Sequence, residues 1–192
     1  AALQLAPLVM LRPIELRCAE WAEFDLDGRG FDYPGVPMWR IPVKRMKLPK
    51  EDKKLNTHHL VPLSRQAVAI LREVEKITGG GKYVFPSPRT KERPMSENGV
   101  LSALRRMGYG KDEMSGHGFR AMARTAIEEQ LHIDAKFVEL QIGHAVKDMN
   151  GRAYNRTKFV AERIDMMQRW ADHLDKLADV QDNITELRST AA

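Results

Sequence analysis

The alternation of apolar and polar residues predicts a small sheet in the first third of the chain. Residues 21–26 alternate and end at an Asp-Gly turn, which is typical of a strand. Residues 38–43 and 59–63 are the second and third strand candidates. Residues 44–58 lie between them as a long, lysine-rich hairpin connection. We therefore expect three antiparallel strands that are consecutive along the chain.

Helical spacing of apolar residues predicts helices over the other apolar segments. These are residues 2–18 (broken by Pro7 and Pro13), 65–78, 97–107, 119–130, 135–142 and 159–180. Ser64 and Ser96 are expected to cap the second and third of them. The buried stripes are expected to be Val68, Leu71, Val74 and Ile77 in one helix, and Ile164, Met167, Trp170, Leu174 and Leu177 in the last. This order predicts a mostly helical α+β domain with a small three-stranded antiparallel sheet at one edge.

Length and composition fit one globular domain. The chain has 192 residues, of which 43% are hydrophobic and 30% charged. No apolar run approaches the length of a membrane span. The single cysteine, Cys18, excludes an internal disulfide and suits a reducing, cytoplasmic setting. We expect the domain to cover residues 1–180 with a tail over 181–192, and the abrupt apolar start to lie inside a helix of a longer protein.

Positive charge is concentrated rather than spread. The formal net charge is +5, and residues 40–59 carry seven basic side chains against two acidic ones. Residues 147–169 are also basic, whereas residues 170–188 are acidic. Concentrated basic charge favours a polyanionic partner, although a solvated surface loop explains it equally well.

Several polar residues stand where a fold alone does not require them. They are Arg12 with Glu15, Lys47, His117 with Arg120, His144 and Tyr154. Each has a structural interpretation by itself: an Arg12–Glu15 ion pair, a histidine at a helix start, a half-buried tyrosine. Their order along the chain is the stronger signal.

That order resembles the tyrosine recombinase (phage integrase) family. The similar elements are the segment LRPIELRCAEW, a basic hairpin with Lys47, the segment HGFRAMART with His117 and Arg120, a Gly-His pair at 143–144, and the segment GRAYNR with Tyr154. The segments are most similar to integrases of prophages and genomic islands, over about residues 11–177. The resemblance implies the tyrosine recombinase catalytic-domain fold, with DNA-binding domains ahead of it.

The resemblance also implies a role for each residue. Tyr154 would be the nucleophile, Arg12 and Arg120 would hold the scissile phosphate, and Lys47 would protonate the leaving 5′ oxygen. His117 and His144 would assist proton transfer and phosphate binding. Glu15 would orient Arg12 or His117 without contacting the phosphate itself. The rivals of Lys47 for the role of general acid are Lys44, Lys50, Lys53 and Lys54. Further DNA contacts are expected from Lys44, Arg45, Arg152, Arg156 and Lys158.

These residue types suit transfer of a phosphodiester without a metal ion or another cofactor. Two guanidiniums offer planar, permanently charged donors to the non-bridging oxygens. A tyrosine hydroxyl has a pKa near ~10, so its attack needs a positive site and a proton acceptor. The products would be a 3′-phosphotyrosine and a free 5′ hydroxyl on the DNA. The hydroxyl of a second strand can attack the phosphotyrosine and reverse the step.

The implied partners are double-stranded attachment-site DNA, three further copies of the protein in a tetramer on that DNA, and a host DNA-bending protein. The implied location is the bacterial nucleoid, without a membrane.

The acidic end helix could fold back on its own domain or dock on a neighbouring protomer. The alternatives to this function are a non-catalytic DNA-binding regulator, a type IB topoisomerase-like enzyme, and a metal hydrolase. The last would use His58, His59, His117 and His144, but no carboxylate stands at a ligand-like spacing from them.

Overall fold

A computed structural model describes residues 1–30, 33–46, 58–144 and 159–190, with side chains as far as residue 181. Within these ranges the strands are β1 (Phe24–Asp25), β2 (Met38–Pro42) and β3 (His58–Pro62). The α-helices are α1 (Ala2–Val9), α2 (Pro13–Arg17), α3 (Arg65–Thr78), α4 (Gly99–Arg106), α5 (Gly118–Glu129), α6 (Ala135–Gln141) and α7 (Val160–Thr190). The predicted mostly helical α+β class is confirmed. No described helix is long and apolar enough to cross a membrane.

The sheet has the order β1-β2-β3, and both pairings are antiparallel. Trp39 on the central strand lies opposite Phe24 on one side and Val61 on the other. Its indole is fully buried and stacks on Phe24 with ring centroids 4.8 Å apart. The buried indole N–H donates to the Glu23 carboxylate at 2.9 Å, so the strand buries no unpaired donor there.

Two apolar clusters hold the helices together. The first joins α1, α2, the sheet and α3, and the second joins α5, α6 and the first turns of α7. Leu11 belongs to the first cluster and its neighbour Met10 to the second. The turn between α1 and α2 therefore lies where the two clusters meet, and Arg12 follows it directly.

Pro7 does not break the first helix, contrary to the prediction. It lies inside α1, which ends at Met10 in a left-handed conformation with φ 56°. Pro7 removes one backbone hydrogen bond and its ring crowds the carbonyl one turn earlier, and burial of neighbours such as Leu5 and Val9 offsets that loss. Pro13 instead begins α2, at the position where a helix has no use for the missing N–H.

Other helix and strand boundaries differ from the predicted ones for local reasons. The predicted first strand is mostly a 3-10 turn over Trp21–Glu23, leaving two residues for β1. The predicted helix after Ser96 begins at Gly99, because the Ser96 hydroxyl accepts from Asn98 in a turn. Ser64 caps α3 as predicted and accepts from the Ala67 N–H at 3.3 Å.

The expected buried stripes hold for their centres and fail at their ends. Leu71, Val74, Met167 and Trp170 are buried, but Ile77 and Leu177 are exposed. The last helix continues to Thr190 rather than ending near residue 180, so the predicted tail is helical as far as residue 190. A helix that projects past its packing surface no longer needs an apolar stripe. The first half of α7 folds back on its own chain, where Trp170 donates to the Pro7 carbonyl at 2.9 Å.

Candidate active site

Arg12 is held at the start of α2 by Glu15. The fully buried Glu15 carboxylate accepts the Arg12 backbone N–H at 2.9 Å and the guanidinium Nη1 at 3.0 Å. A guanidinium has five N–H groups, and this contact takes one of them. The Arg12 side chain remains 16% exposed, so its other edge is available to a ligand.

Arg120 approaches the same turn from α5. Its buried guanidinium donates from Nη1 to the Met10 carbonyl at 2.9 Å and from Nη2 to the Ile142 carbonyl at 3.0 Å. These acceptors are neutral backbone groups. Burial, with the positive charge of Arg12 adding to it, lowers the pKa of Arg120 to about 10, against the opposing charges of Glu15 and Glu139. The two arginines are therefore close enough to repel each other.

The end of α6 completes the cluster. Gly143 has φ +74°, and the next residue, His144, donates its backbone N–H to the Glu139 carbonyl at 2.9 Å. Gly143 donates to the Leu140 carbonyl at 3.2 Å, so the two bonds form a Schellman motif. A Cβ on Gly143 would lie 2.6 Å from the Met46 methyl group and 3.9 Å from Arg12 Nη1. The backbone of this turn thus lies directly beside Arg12.

His144 turns its ring toward both neighbours. Its Nδ1 lies 2.6 Å from the Glu139 carboxylate and its Nε2 lies 3.4 Å from Arg120 Nη2. Arg12, Arg120 and His144, from three distant segments, consequently meet around one backbone turn.

His117 lies close to the start of α2. It is the residue before α5, it is exposed, and it lines a cavity of about 310 Å³ with Arg12, Pro13, Ile14, Arg17 and Glu97. A Cβ on Gly116 would lie 2.8 Å from Pro13 Cγ, so the turn before His117 packs closely on the start of α2.

The family comparison agrees with this geometry. The model described as "Phage integrase family" matches residues 1–160. The chain belongs to the phage integrase family. The resemblance deduced from the sequence motifs is therefore confirmed.

The chain is similar to proteins from phages and from a bacterium. It is 40% identical over 181 residues to the "Integrase" of Enterobacteria phage P4, covering 91% of this chain and 39% of that protein. It is 39% identical over 176 residues to "Putative protein IntB" of Escherichia coli K12, covering 91% and 44%. It is 37% identical over 172 residues to "Prophage integrase IntA" of the same strain, covering 90% and 37%. The chain spans about two-fifths of the length of these relatives. No solved structure matches it.

Several predicted site residues of this chain lie outside the described residues. They are Lys47, with its rivals Lys50, Lys53 and Lys54, the nucleophile candidate Tyr154, and Arg152, Arg156 and Lys158. Their roles stay predictions.

The two other basic residues predicted to contact DNA from the hairpin, Lys44 and Arg45, belong to the described residues. Lys44 is exposed at the end of β2. Arg45 is turned inward, where it donates to the Cys18 carbonyl and to the Glu23 carboxylate. These two contacts connect the hairpin to the 3-10 turn, and the predicted contact of Arg45 with DNA stays a prediction.

The four histidines considered as metal ligands have different surroundings. His59 is buried, with Nε2 2.9 Å from the Gln141 carbonyl, whereas His58 and His117 are exposed. Among the described residues, no group of three or more histidine, cysteine or acidic side chains is arranged to hold a metal ion.

Sequence reasoning missed the residues that support the cluster. Glu139 contacts His144. The available signal in the sequence was the spacing: the glutamate comes five residues before the histidine, and a helix-ending glycine lies between them. Arg163 on α7 was also missed, although it falls on the buried stripe between Val160 and Met167. It is fully buried and donates to the Gln141 side chain and the Leu60 carbonyl. Arg163 therefore ties α7 to β3 and to the end of α6.

Proposed function

We propose that this chain is the catalytic domain of a site-specific tyrosine recombinase that cleaves and rejoins DNA strands during integration and excision of a mobile element. One observation carries the proposal. Two arginines converge beside His144, and Arg120 is held by neutral carbonyls, with its charge destabilised by burial and by Arg12. An anion bound between the two guanidiniums relieves that repulsion. A phosphodiester is the anion that the family's substrate supplies.

Arg12 and Arg120 would bind the non-bridging oxygens and stabilise the charge that grows on them in the transition state. Glu15 would fix the approach of Arg12 through its contacts to the backbone and the guanidinium. His144 contacts Arg120 through Nε2, and His117 lines a cavity with Arg12.

The step balances without another reactant. The Tyr154 oxygen bonds to phosphorus while the bond to the 5′ oxygen breaks. The tyrosine proton passes to a histidine of the site, and Lys47 supplies a proton to the departing 5′ oxygen. Attack by a 5′ hydroxyl on the phosphotyrosine reverses the step and rejoins the strand.

The family and the small sheet support the tyrosine recombinase catalytic-domain fold, with residues 1–180 as its extent. In the working assembly, we propose four copies on double-stranded attachment-site DNA, with a host DNA-bending protein, in the bacterial cytoplasm at the nucleoid.

The test is covalent capture. A suicide DNA carrying the attachment core and a bridging phosphorothiolate is mixed with the protein in EDTA, with Tyr154→Phe in parallel. The proposal predicts a denaturant-stable protein–DNA band that requires Tyr154 and persists in EDTA. An equal band from Tyr154→Phe would overturn it. Salt-sensitive binding with no covalent band, even after the upstream domains of a relative are joined to the chain, would favour a non-catalytic DNA-binding regulator. Relaxation of supercoiled DNA without strand exchange would favour a type IB topoisomerase-like enzyme.

A further inference from the structure

Glu139 and His144 are brought together by the way α6 ends. In the Schellman motif, the third-last helical residue and the second residue after the cap share a backbone hydrogen bond, and their side chains lie side by side. A hydrophobic contact often fills this place. Here the place holds a 2.6 Å contact between the Glu139 carboxylate and His144 Nδ1.

The partners of the two ring nitrogens define one neutral tautomer. An ionised carboxylate only accepts hydrogen bonds, so Nδ1 must carry the hydrogen that faces Glu139. A guanidinium only donates, so Nε2, 3.4 Å from Arg120 Nη2, must present its lone pair. The basic nitrogen of the ring is consequently directed at the two-arginine cluster.

The carboxylate is itself fixed from its other side. Arg124 Nε donates to the second Glu139 oxygen at 2.6 Å. Burial pulls the pKa of Glu139 upward, but the hydrogen bonds from Arg124 and His144 outweigh it and leave the pKa below its ordinary value. Glu139 is therefore an ionised acceptor at neutral pH, with its orientation set by Arg124.

We propose that Glu139 is a positioning residue that holds His144 in the Nδ1–H tautomer, with Nε2 directed at the phosphate site beside Arg120. Arg124 acts behind it by orienting the carboxylate. The function of this arrangement in strand cleavage rests on the proposed recombinase activity, whereas the tautomer itself does not.

The first experiment reads the tautomer directly and needs no DNA. The chain labelled with nitrogen-15 on histidine is examined by long-range proton–nitrogen correlation above the titration range of histidine, with His144→Gln assigning the signals. Wild type is expected to show a protonated Nδ1 on His144. Glu139→Ala is expected to shift His144 toward the Nε2–H tautomer that histidine prefers in water. Glu139→Leu also removes the accepting oxygen, keeps much of the side-chain bulk, and is the second variant if the alanine variant does not fold.

Glu128→Ala is the matched control. Glu128 lies one turn along α5 from Arg124 and contacts its guanidinium at 3.6 Å. Its ion pair is with Arg124 and not with His144. Its removal is expected to leave the His144 tautomer unchanged. An Nε2–H tautomer in wild type, or an unchanged Nδ1–H tautomer in both Glu139 variants, would overturn the proposal.

The second experiment measures cleavage by single-turnover formation of the covalent band. Glu139→Ala is expected to slow the step about 10–100-fold, the loss seen when the partner that orients a metal-bound histidine is removed, with DNA affinity retained. In a His144→Ala background it is expected to have no further effect, and an additive loss would overturn the coupling. If wild type forms no covalent band even with the upstream domains of a relative joined to it, the recombinase proposal fails while the tautomer measurement still decides the role of Glu139.

Discussion

Gly143 provides the sharpest test of how closely the site is packed. Its φ of +74° is a left-handed conformation, and an added Cβ would lie 2.6 Å from the Met46 methyl group. Met46 is buried in the first apolar cluster, so its side chain has little room to withdraw. Gly143→Ala therefore combines backbone strain with overpacking at the turn that joins Arg12, Arg120 and His144.

The magnitude follows from two separable contributions. A left-handed backbone costs a residue with a Cβ about 1–2 kcal/mol. Overpacking of a filled core costs typically about 1–3 kcal/mol. We expect Gly143→Ala to lower the free energy of unfolding by about 2–3.5 kcal/mol, taking the lower halves of both ranges because the methionine methyl is the end of a flexible side chain.

Gly108→Ala separates the two contributions. Gly108 has φ +94°, and nothing lies within 4 Å of an added Cβ, so this variant carries the strain alone and is expected to lose about 1–2 kcal/mol. Urea denaturation of both variants, followed by circular dichroism, measures the difference. Equal losses in the two variants would show that the contact with Met46 does not constrain the turn, and would refute the reasoning.

Three further predictions follow from individual contacts. Arg120→Ala is expected to reduce covalent-band formation by orders of magnitude. It is also expected to lower the free energy of unfolding by about 1–3 kcal/mol, because the Met10 and Ile142 carbonyls lose their donor. Unchanged urea denaturation would contradict the expected loss of stability. Glu15→Gln is expected to slow cleavage more than it weakens DNA binding, since Arg12 loses its charged support; equal losses in rate and affinity would contradict this. Because the pKa of Glu139 is below its ordinary 4.5, its ionised form stabilises the fold above that value, and this contribution is lost as pH falls through the lowered pKa. Urea denaturation at several pH values should thus show a shallower acid decline in Glu139→Gln, and an identical decline would contradict the shift.

The signature residues were predictable because each stands at a visible discontinuity in the pattern. Arg12 precedes a proline, Arg120 follows a Gly-His-Gly turn, and His144 follows a helix-ending glycine. Proline and glycine fix backbone conformation locally, so their effect can be deduced without tertiary contacts. The second and third strands and α3 were also predictable from local patterns.

The supporting residues could not be found in that way. Arg120 is held by the carbonyls of Met10 and Ile142, which are 110 and 22 residues away along the chain. Glu139 and Arg163 look like ordinary charged residues of helices until packing brings an acceptor to them. Pro7 was misjudged because local propensity counts the lost hydrogen bond but not the burial that offsets it.

The most direct test of the account is to locate the covalent bond. The protein–DNA adduct is digested with nuclease and trypsin, and the peptide that retains a nucleotide is sequenced by mass spectrometry. The chain has four tyrosines, and cleavage after Arg152 and Arg156 leaves Tyr154 as the only one in its peptide. The account predicts the nucleotide on that peptide, attached through a 3′ phosphate. A nucleotide on Tyr33, Tyr83 or Tyr109 would contradict it.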